Sequence, residues 1–198
     1  MEPEERPGTR GDEDRLIGRF LAFLQQDSRL AGAEAVAKRK LRYAMPILAY
    51  GPDQEPVPGG HRTNAFETDL MIYDRHGDAG WIPLVVAEFK HQTVNSHEII
   101  AYGQKAAAHR SLHPYLRYGL VVGGRRGRFS PRLVTHGNAF DFLAILPSDR
   151  EEAAFADLAA VLAEEVEAAR QLRSILETGR FPDATWLLHR RLMLRDRT

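Results

Sequence analysis

The chain has 198 residues, of which 43% are hydrophobic and 27% charged, with no cysteine and a formal net charge of zero. This length suits one globular domain with its own core, and the lack of cysteine excludes a disulfide framework and a thiolate metal site. No apolar run approaches the length of a membrane span, and the N-terminal segment is too acidic for a signal peptide. We therefore expect a cytoplasmic protein with no membrane partner.

The first 50 residues predict two helices and a strand. Residues 1–12 are expected to form a disordered charged tail, and apolar side chains recur at helical spacing through residues 13–26. A second helix is expected over residues 29–44, with Asp27 or Ser28 as its cap, and Glu34 would lie on it. Residues 45–50 read as a strand, and the loop after it is rich in proline and glycine.

The central feature is a pair of strands over residues 66–73 and 84–90, joined by a glycine-containing turn that suits a β-hairpin. Side chains alternate along a strand, so Asp69 lies on one face of the first strand, and Glu88 and Lys90 share one face of the second. An antiparallel pairing would bring these three side chains onto one surface at a strand end.

Two carboxylates and one amine at a strand end suit metal chemistry. Neighbouring carboxylates repel each other, whereas Mg²⁺ prefers their oxygens as ligands. We expect Asp69 and Glu88 to hold the metal and Lys90 to orient or activate water, which is the arrangement for metal-assisted hydrolysis of a phosphodiester. By composition about 0.5 acid-x-Lys tripeptides are expected by chance, so the strand context carries more weight than the tripeptide itself.

The rest of the chain predicts further helices and strands. A helix is expected over residues 97–110 with Ser96 as its cap, followed by strands over residues 118–122 and 140–146. Ser148 and Glu151 match a capping box before a long helix that ends at Gly179, and a last helix starts at Pro182. The last two helices are expected to pack on the core, and a homodimer through them is the alternative.

Positive charge is concentrated in one region, because no acidic residue occurs between Ile99 and Phe140. Such asymmetry can supply a surface that tracks phosphates even in a neutral protein. The glycine- and arginine-rich segment after the strand at 118–122 either grips a nucleic-acid backbone or is a solvated loop. The candidate nucleic-acid-binding residues are Lys105, Arg125, Arg126 and Arg128, with DNA as the partner.

Asp69, then Glu88-Phe89-Lys90, then a helix and another strand resemble the PD-(D/E)XK nuclease superfamily over about residues 30–125. Two positions differ from its patterns: Thr68 stands where a proline is usual, and Glu98 where some members have glutamine. The resemblance implies an α/β, restriction endonuclease-like core (α-β-β-β-α-β, a mixed sheet flanked by helices) at 13–147, with a C-terminal helical extension at 148–198 packed on it. It also implies that Gln104 faces the active site and that Glu34 is an accessory metal-binding acid.

The resulting hypothesis is a Mg²⁺-dependent endonuclease that hydrolyses DNA, in restriction or mobile-element defence, with Mn²⁺ able to substitute. One alternative is a nucleic-acid-binding or assembly module that has a nuclease-like fold and no catalysis. A second alternative is an unrelated α/β fold in which Glu88 and Lys90 are an ordinary surface pair.

Overall fold

The computed structural model describes residues 9–59, 64–125 and 131–180. In these ranges the chain forms the helices α1 (Thr9–Gln26), α2 (Ser96–Leu112), α3 (Pro131–His136) and α4 (Glu151–Thr178). The strands are β1 (Glu34–Ala44), β2 (Ile47–Tyr50), β3 (Pro56–Pro58), β4 (Asn64–His76), β5 (Gly80–His91), β6 (Arg117–Arg125) and β7 (Phe142–Pro147). The last helix expected from the sequence, starting at Pro182, lies outside the described residues.

Five of these strands form one mixed sheet in the order β1-β4-β5-β6-β7. The pairs β1–β4 and β4–β5 are antiparallel, while β5–β6 and β6–β7 are parallel. Helix α2 makes the crossover between β5 and β6, as a parallel pair requires. The α/β class with a mixed sheet flanked by helices is therefore confirmed.

Hydrophobic side chains pack on both faces of the sheet. On one face, residues of α1 and α4 such as Phe20 and Leu162 pack with Leu70 and Phe89. On the other face, Met71, Val86 and Tyr118 from three adjacent strands pack with residues of α2 such as Ile99. Since both faces of the sheet are covered by helices, a polar side chain pointing from its central strands is buried unless it lies near a strand end.

The prediction of a helix over residues 29–44 is wrong. A short 3₁₀ helix spans Ser28–Leu30, and then Ala31 and Gly32 adopt positive φ values of 50° and 85°, which ends the helical turn. The chain continues as β1, paired antiparallel with β4 from Glu34 opposite Tyr73 onward. Pairing with a buried neighbour outweighs the helix preference of the alanine, lysine and arginine residues in this segment.

Two predicted helix caps also differ in the structure. Helix α2 is capped by Asn95 rather than Ser96, because the Asn95 side chain and Glu98 form a reciprocal capping box. The capping box expected from Ser148 and Glu151 does not form: α4 starts after Arg150, which makes no side-chain cap. The end of α4 at Gly179 is confirmed, with the left-handed backbone that favours glycine.

The remaining strands, β2 and β3, form a separate two-stranded sheet inside the segment expected to be a strand and a loop. Their side chains are exposed, including Leu48 and Tyr50. Among the described residues no helix has both the length and the apolar character needed to cross a membrane.

Candidate active site

The β4–β5 hairpin brings the two predicted carboxylates together. The register pairs Leu70 with Ala87, so the next pair along the two strands is Asp69 and Glu88. Asp69 is 8% exposed and Glu88 1% exposed. The backbone N–H of Phe89 donates a 2.8 Å hydrogen bond to Oδ2 of Asp69. This bond fixes the Asp69 side chain beside its neighbour and leaves Oδ1 for other partners.

Glu88 is buried among groups that shift its pKa in opposite directions. Its burial and, next, the nearby Asp69 carboxylate raise the pKa of Glu88 to about 7. Tyr118 of β6 donates a 2.6 Å hydrogen bond to Oε1 of Glu88, and Nζ of Lys105 lies 3.8 Å from the same oxygen. Burial and the Glu88 charge also raise the pKa of Tyr118, so its hydroxyl stays a donor.

Lys90 lies at the same end of β5 and is held as an ammonium. Its Nζ is 3.3 Å from Oε2 of Glu13 and 5.4 Å from the centre of the Tyr102 ring. Burial acts to lower the pKa of Lys90, but its interactions with Tyr102 and Glu13 outweigh burial and raise the pKa above its ordinary value. A lysine in this state donates hydrogen bonds and is a poor proton acceptor at neutral pH.

The start of helix α1 supplies acidic residues that sequence reasoning missed. Besides Glu13 on Lys90, Oδ1 of Asp14 lies 3.2 Å from Nζ of Lys38. Burial raises the pKa of Glu13. The only signal in the sequence was the acidic run at the start of the first helix, and such a run is common because acids stabilise helix N-termini.

Lys38 of β1 is a second residue that the sequence did not reveal. Its Nζ lies 2.7 Å from Oδ1 of Asp69. Its φ of 54° is unusual for a lysine within a strand. A retrospective signal exists, because the chain has only four lysines among 27 basic residues and three of them, Lys38, Lys90 and Lys105, pair with this acidic cluster.

A glycine near the end of β6 packs against the residue that follows Lys90. Gly124 has a φ of 72°, and an added Cβ would come within 2.5 Å of Nε2 of His91, the residue after Lys90. The β6 backbone therefore approaches this histidine more closely than any residue with a side chain would allow.

The structure does not bring every predicted site residue to the carboxylates. Glu34 lies on a strand instead of a helix, where it accepts a 2.7 Å hydrogen bond from Tyr73 and pairs with Arg75. Tyr73 lies four positions beyond Asp69 along β4, which corresponds to roughly 13 Å. Gln104 is exposed on α2 and makes none of the contacts to Asp69 or Glu88 found among the described residues.

The predicted nucleic-acid-binding residues have different locations. Lys105 belongs to the carboxylate cluster through its contact with Glu88, and its Nζ also lies over the rings of Phe66 and Tyr102. Arg125 ends β6, but its side chain and the whole of Arg126 and Arg128 lie outside the described residues.

The donor set fits a hard divalent cation with few protein ligands. No group of three histidine or acidic side chains is gathered as a metal site in the part of the chain that the structure describes. Two adjacent carboxylates, Asp69 and Glu88, are nevertheless enough for Mg²⁺, which is commonly bound through one or two carboxylates together with waters and substrate phosphates. Burial and, next, the Asp69 carboxylate raise the pKa of Glu88, and a bound cation would offset both effects by stabilising the ionised form.

Comparison with known proteins gives no further assignment, since no protein-family model and no curated protein matches the chain.

Proposed function

We propose that this chain is a Mg²⁺-dependent endonuclease that hydrolyses phosphodiester bonds of DNA. The observation that carries the proposal is the pair of adjacent carboxylates, Asp69 at 8% and Glu88 at 1% exposure, with the Lys90 ammonium at the same end of β5. Burying two acids side by side is costly unless counter-charges or a ligand offset their charge, and perturbed acids of this kind cluster at functional sites.

The order of the elements supports a restriction endonuclease-like core. Around the site the main elements run α1, β1, β4, β5, α2, β6, which is the order α-β-β-β-α-β. The small hairpin of β2 and β3 is an insertion in this order. The carboxylates lie on the antiparallel hairpin, and the Glu-x-Lys segment directly precedes the crossover helix.

In this mechanism Asp69 and Glu88 would hold the Mg²⁺. When bound, the ion would supply positive charge that stabilises the transition state of phosphodiester hydrolysis. Tyr118 fixes the rotamer of Glu88 through its 2.6 Å hydrogen bond, and the Phe89 N–H fixes that of Asp69. Such fixed carboxylates need no rearrangement before they bind a cation.

Lys90 orients water in this proposal and does not remove its proton. Because its pKa is raised, it stays an ammonium at neutral pH and can donate hydrogen bonds to the attacking water or to a phosphate oxygen. Glu13, 3.3 Å from Nζ of Lys90, limits the positions that this ammonium can take.

The test is cleavage of supercoiled plasmid and of linear DNA with Mg²⁺, Mn²⁺ or EDTA. We expect nicked circles with either metal and none with EDTA. Asp69→Asn, Glu88→Gln and Lys90→Met should each lower the rate by about a hundredfold or more, the loss typical of a removed electrostatic catalyst. Glu164→Gln, an exposed change on α4, is the matched control and should cleave like the wild type.

The competing function is a nucleic-acid-binding or assembly module with no catalysis. It is favoured by the lysine partners that Asp69 and Glu88 already have, Lys38 at 2.7 Å and Lys105 at 3.8 Å. Calorimetric titration with Mn²⁺ separates the two functions. Wild-type protein that binds Mn²⁺ no better than Asp69→Asn, and cleaves no DNA, would refute the nuclease and favour the module.

A further inference from the structure

We propose that Lys38 is an exchangeable counter-ion of Asp69, which occupies the carboxylate oxygen that a divalent cation needs and is displaced when the cation binds. This inference rests on the proposed metal site and adds a residue from β1, an element that the Asp69, Glu88 and Lys90 cluster does not include.

The first observation is how the two oxygens of Asp69 are used. Oδ2 accepts the 2.8 Å hydrogen bond from the backbone N–H of Phe89, which the antiparallel pairing of β4 and β5 keeps in place. Oδ1 is therefore the oxygen available to a cation, and it is the one that Nζ of Lys38 contacts at 2.7 Å. A metal ion and the Lys38 ammonium compete for the same atom.

The second observation is that the ammonium sits where a cation would be stabilised. Besides Asp69 on β4, it lies 3.2 Å from Oδ1 of Asp14 on α1. One positive charge between two carboxylates from separate elements leaves one net negative charge. This is the electrostatic environment that favours a dication at the same position.

The third observation concerns how easily Lys38 can leave. Its side chain is 37% exposed, whereas that of Asp69 is 12% exposed. The ammonium therefore reaches the acid from the solvent side and can return to solvent by rotation of its flexible stem, without opening the core. The buried partner stays in place while the exposed one moves.

The fourth observation is the backbone conformation of Lys38. Lys38 has a φ of 54° although it lies within β1, between Ala37 and Arg39, which pair in regular register with β4. Residues other than glycine seldom adopt this backbone region, and those that do cluster at functional sites. The register on either side of Lys38 places it opposite Asp69, which its ammonium contacts at 2.7 Å.

The test is the affinity of the full chain for Mn²⁺, measured by calorimetry at fixed ionic strength. Lys38→Gln removes the competing charge, so we expect Mn²⁺ to bind roughly two- to fivefold more tightly than to the wild type, the range for a partly exposed ion pair. Lys38→Arg keeps a charge at this position and should bring the affinity back toward the wild-type value.

Lys40→Gln is the matched control, because Lys40 is an exposed lysine on the same strand that lies opposite Glu67. It should leave the Mn²⁺ affinity unchanged. Unchanged or weaker binding by Lys38→Gln, with normal binding by the wild type, would overturn the exchange and leave the proposed nuclease standing. The same gain in Lys40→Gln would also overturn it, as a general charge effect.

Two further outcomes separate the inference from the proposed function. Mn²⁺ binding by Lys38→Gln but not by the wild type would support the exchange in its strongest form. Binding by neither protein would overturn both the exchange and the metal site of the proposed function.

Discussion

Replacing Glu88 with glutamine should stabilise the protein at alkaline pH while removing its proposed activity. The pKa of Glu88 is raised from 4.5 to about 7, chiefly by burial. The folded chain therefore holds this proton more tightly than the unfolded chain. The stability that this proton contributes is complete below pH 4.5 and is lost as the pH rises through about 7.

The size of the effect follows from the same shift. One pKa unit corresponds to 1.36 kcal/mol, so the ionised Glu88 costs about 3 kcal/mol relative to its protonated form. Glutamine cannot ionise, but its amide can still accept the hydrogen bond from Tyr118 and donate one toward Asp69. The stability difference between Glu88→Gln and the wild type should therefore widen, in favour of the variant, by about 2 to 3 kcal/mol between pH 5 and pH 8.

The assay is urea unfolding at pH 5 and pH 8 with EDTA present, since a bound cation would stabilise the ionised carboxylate. Glu164→Gln is the control, because Glu164 is exposed on α4 and its removal should leave the pH dependence unchanged. Glu13 also has a raised pKa, but its contribution is present in both proteins and cancels in the difference. A gap that stays constant with pH would refute the assignment of buried charge to Glu88.

Two further substitutions test residues that pack around the proposed site. Tyr118→Phe removes the 2.6 Å hydrogen bond to Glu88, so it should weaken Mn²⁺ binding and lower the free energy of unfolding by about 1 to 2 kcal/mol. Its control is Tyr73→Phe, which removes a more exposed 2.7 Å hydrogen bond to Glu34 and should leave the Mn²⁺ affinity unchanged. Gly124→Ala should lower the free energy of unfolding by about 1 to 3 kcal/mol, measured by urea unfolding, because the φ at this position is 72° and an added Cβ would meet the His91 ring at 2.5 Å. Gly77→Ala should lower it less, because its φ is 58° but the space around it is open.

The pairing of Asp69 with Glu88 could be predicted because it depends on local geometry. A hairpin with a short turn has only a few registers, and alternation then decides which side chains share a surface. Both strands are rich in apolar residues, so the pattern predicted the strands and also showed that an acid within each of them was unusual. The same alternation put Lys90, two residues beyond Glu88, on the same face of β5.

The contributions of Glu13, Lys38 and Tyr118 could not be predicted because they depend on long-range packing. Lys38 is 31 residues from Asp69, and Glu13 is 77 residues from Lys90. Lys38 also lay in a segment whose alanine and charged residues favour a helix, so its strand conformation required the partner strand β4 to be known. Tyr118 reaches Glu88 only because β6 pairs in parallel with β5, with Val86 opposite Tyr118.

The net charge of the assembled site follows from its paired groups. The paired groups within it are four acids and three lysines: Glu13, Asp14, Asp69 and Glu88 with Lys38, Lys90 and Lys105. The fully ionised cluster therefore carries one net negative charge, and a proton on Glu88 makes it neutral, in agreement with the raised pKa of that carboxyl. A dication in place of the proton would give one net positive charge if Lys38 stayed beside Asp69. If the dication also displaces Lys38, as we propose, the cluster is neutral both before and after the metal binds, so the exchange leaves no unbalanced charge within it.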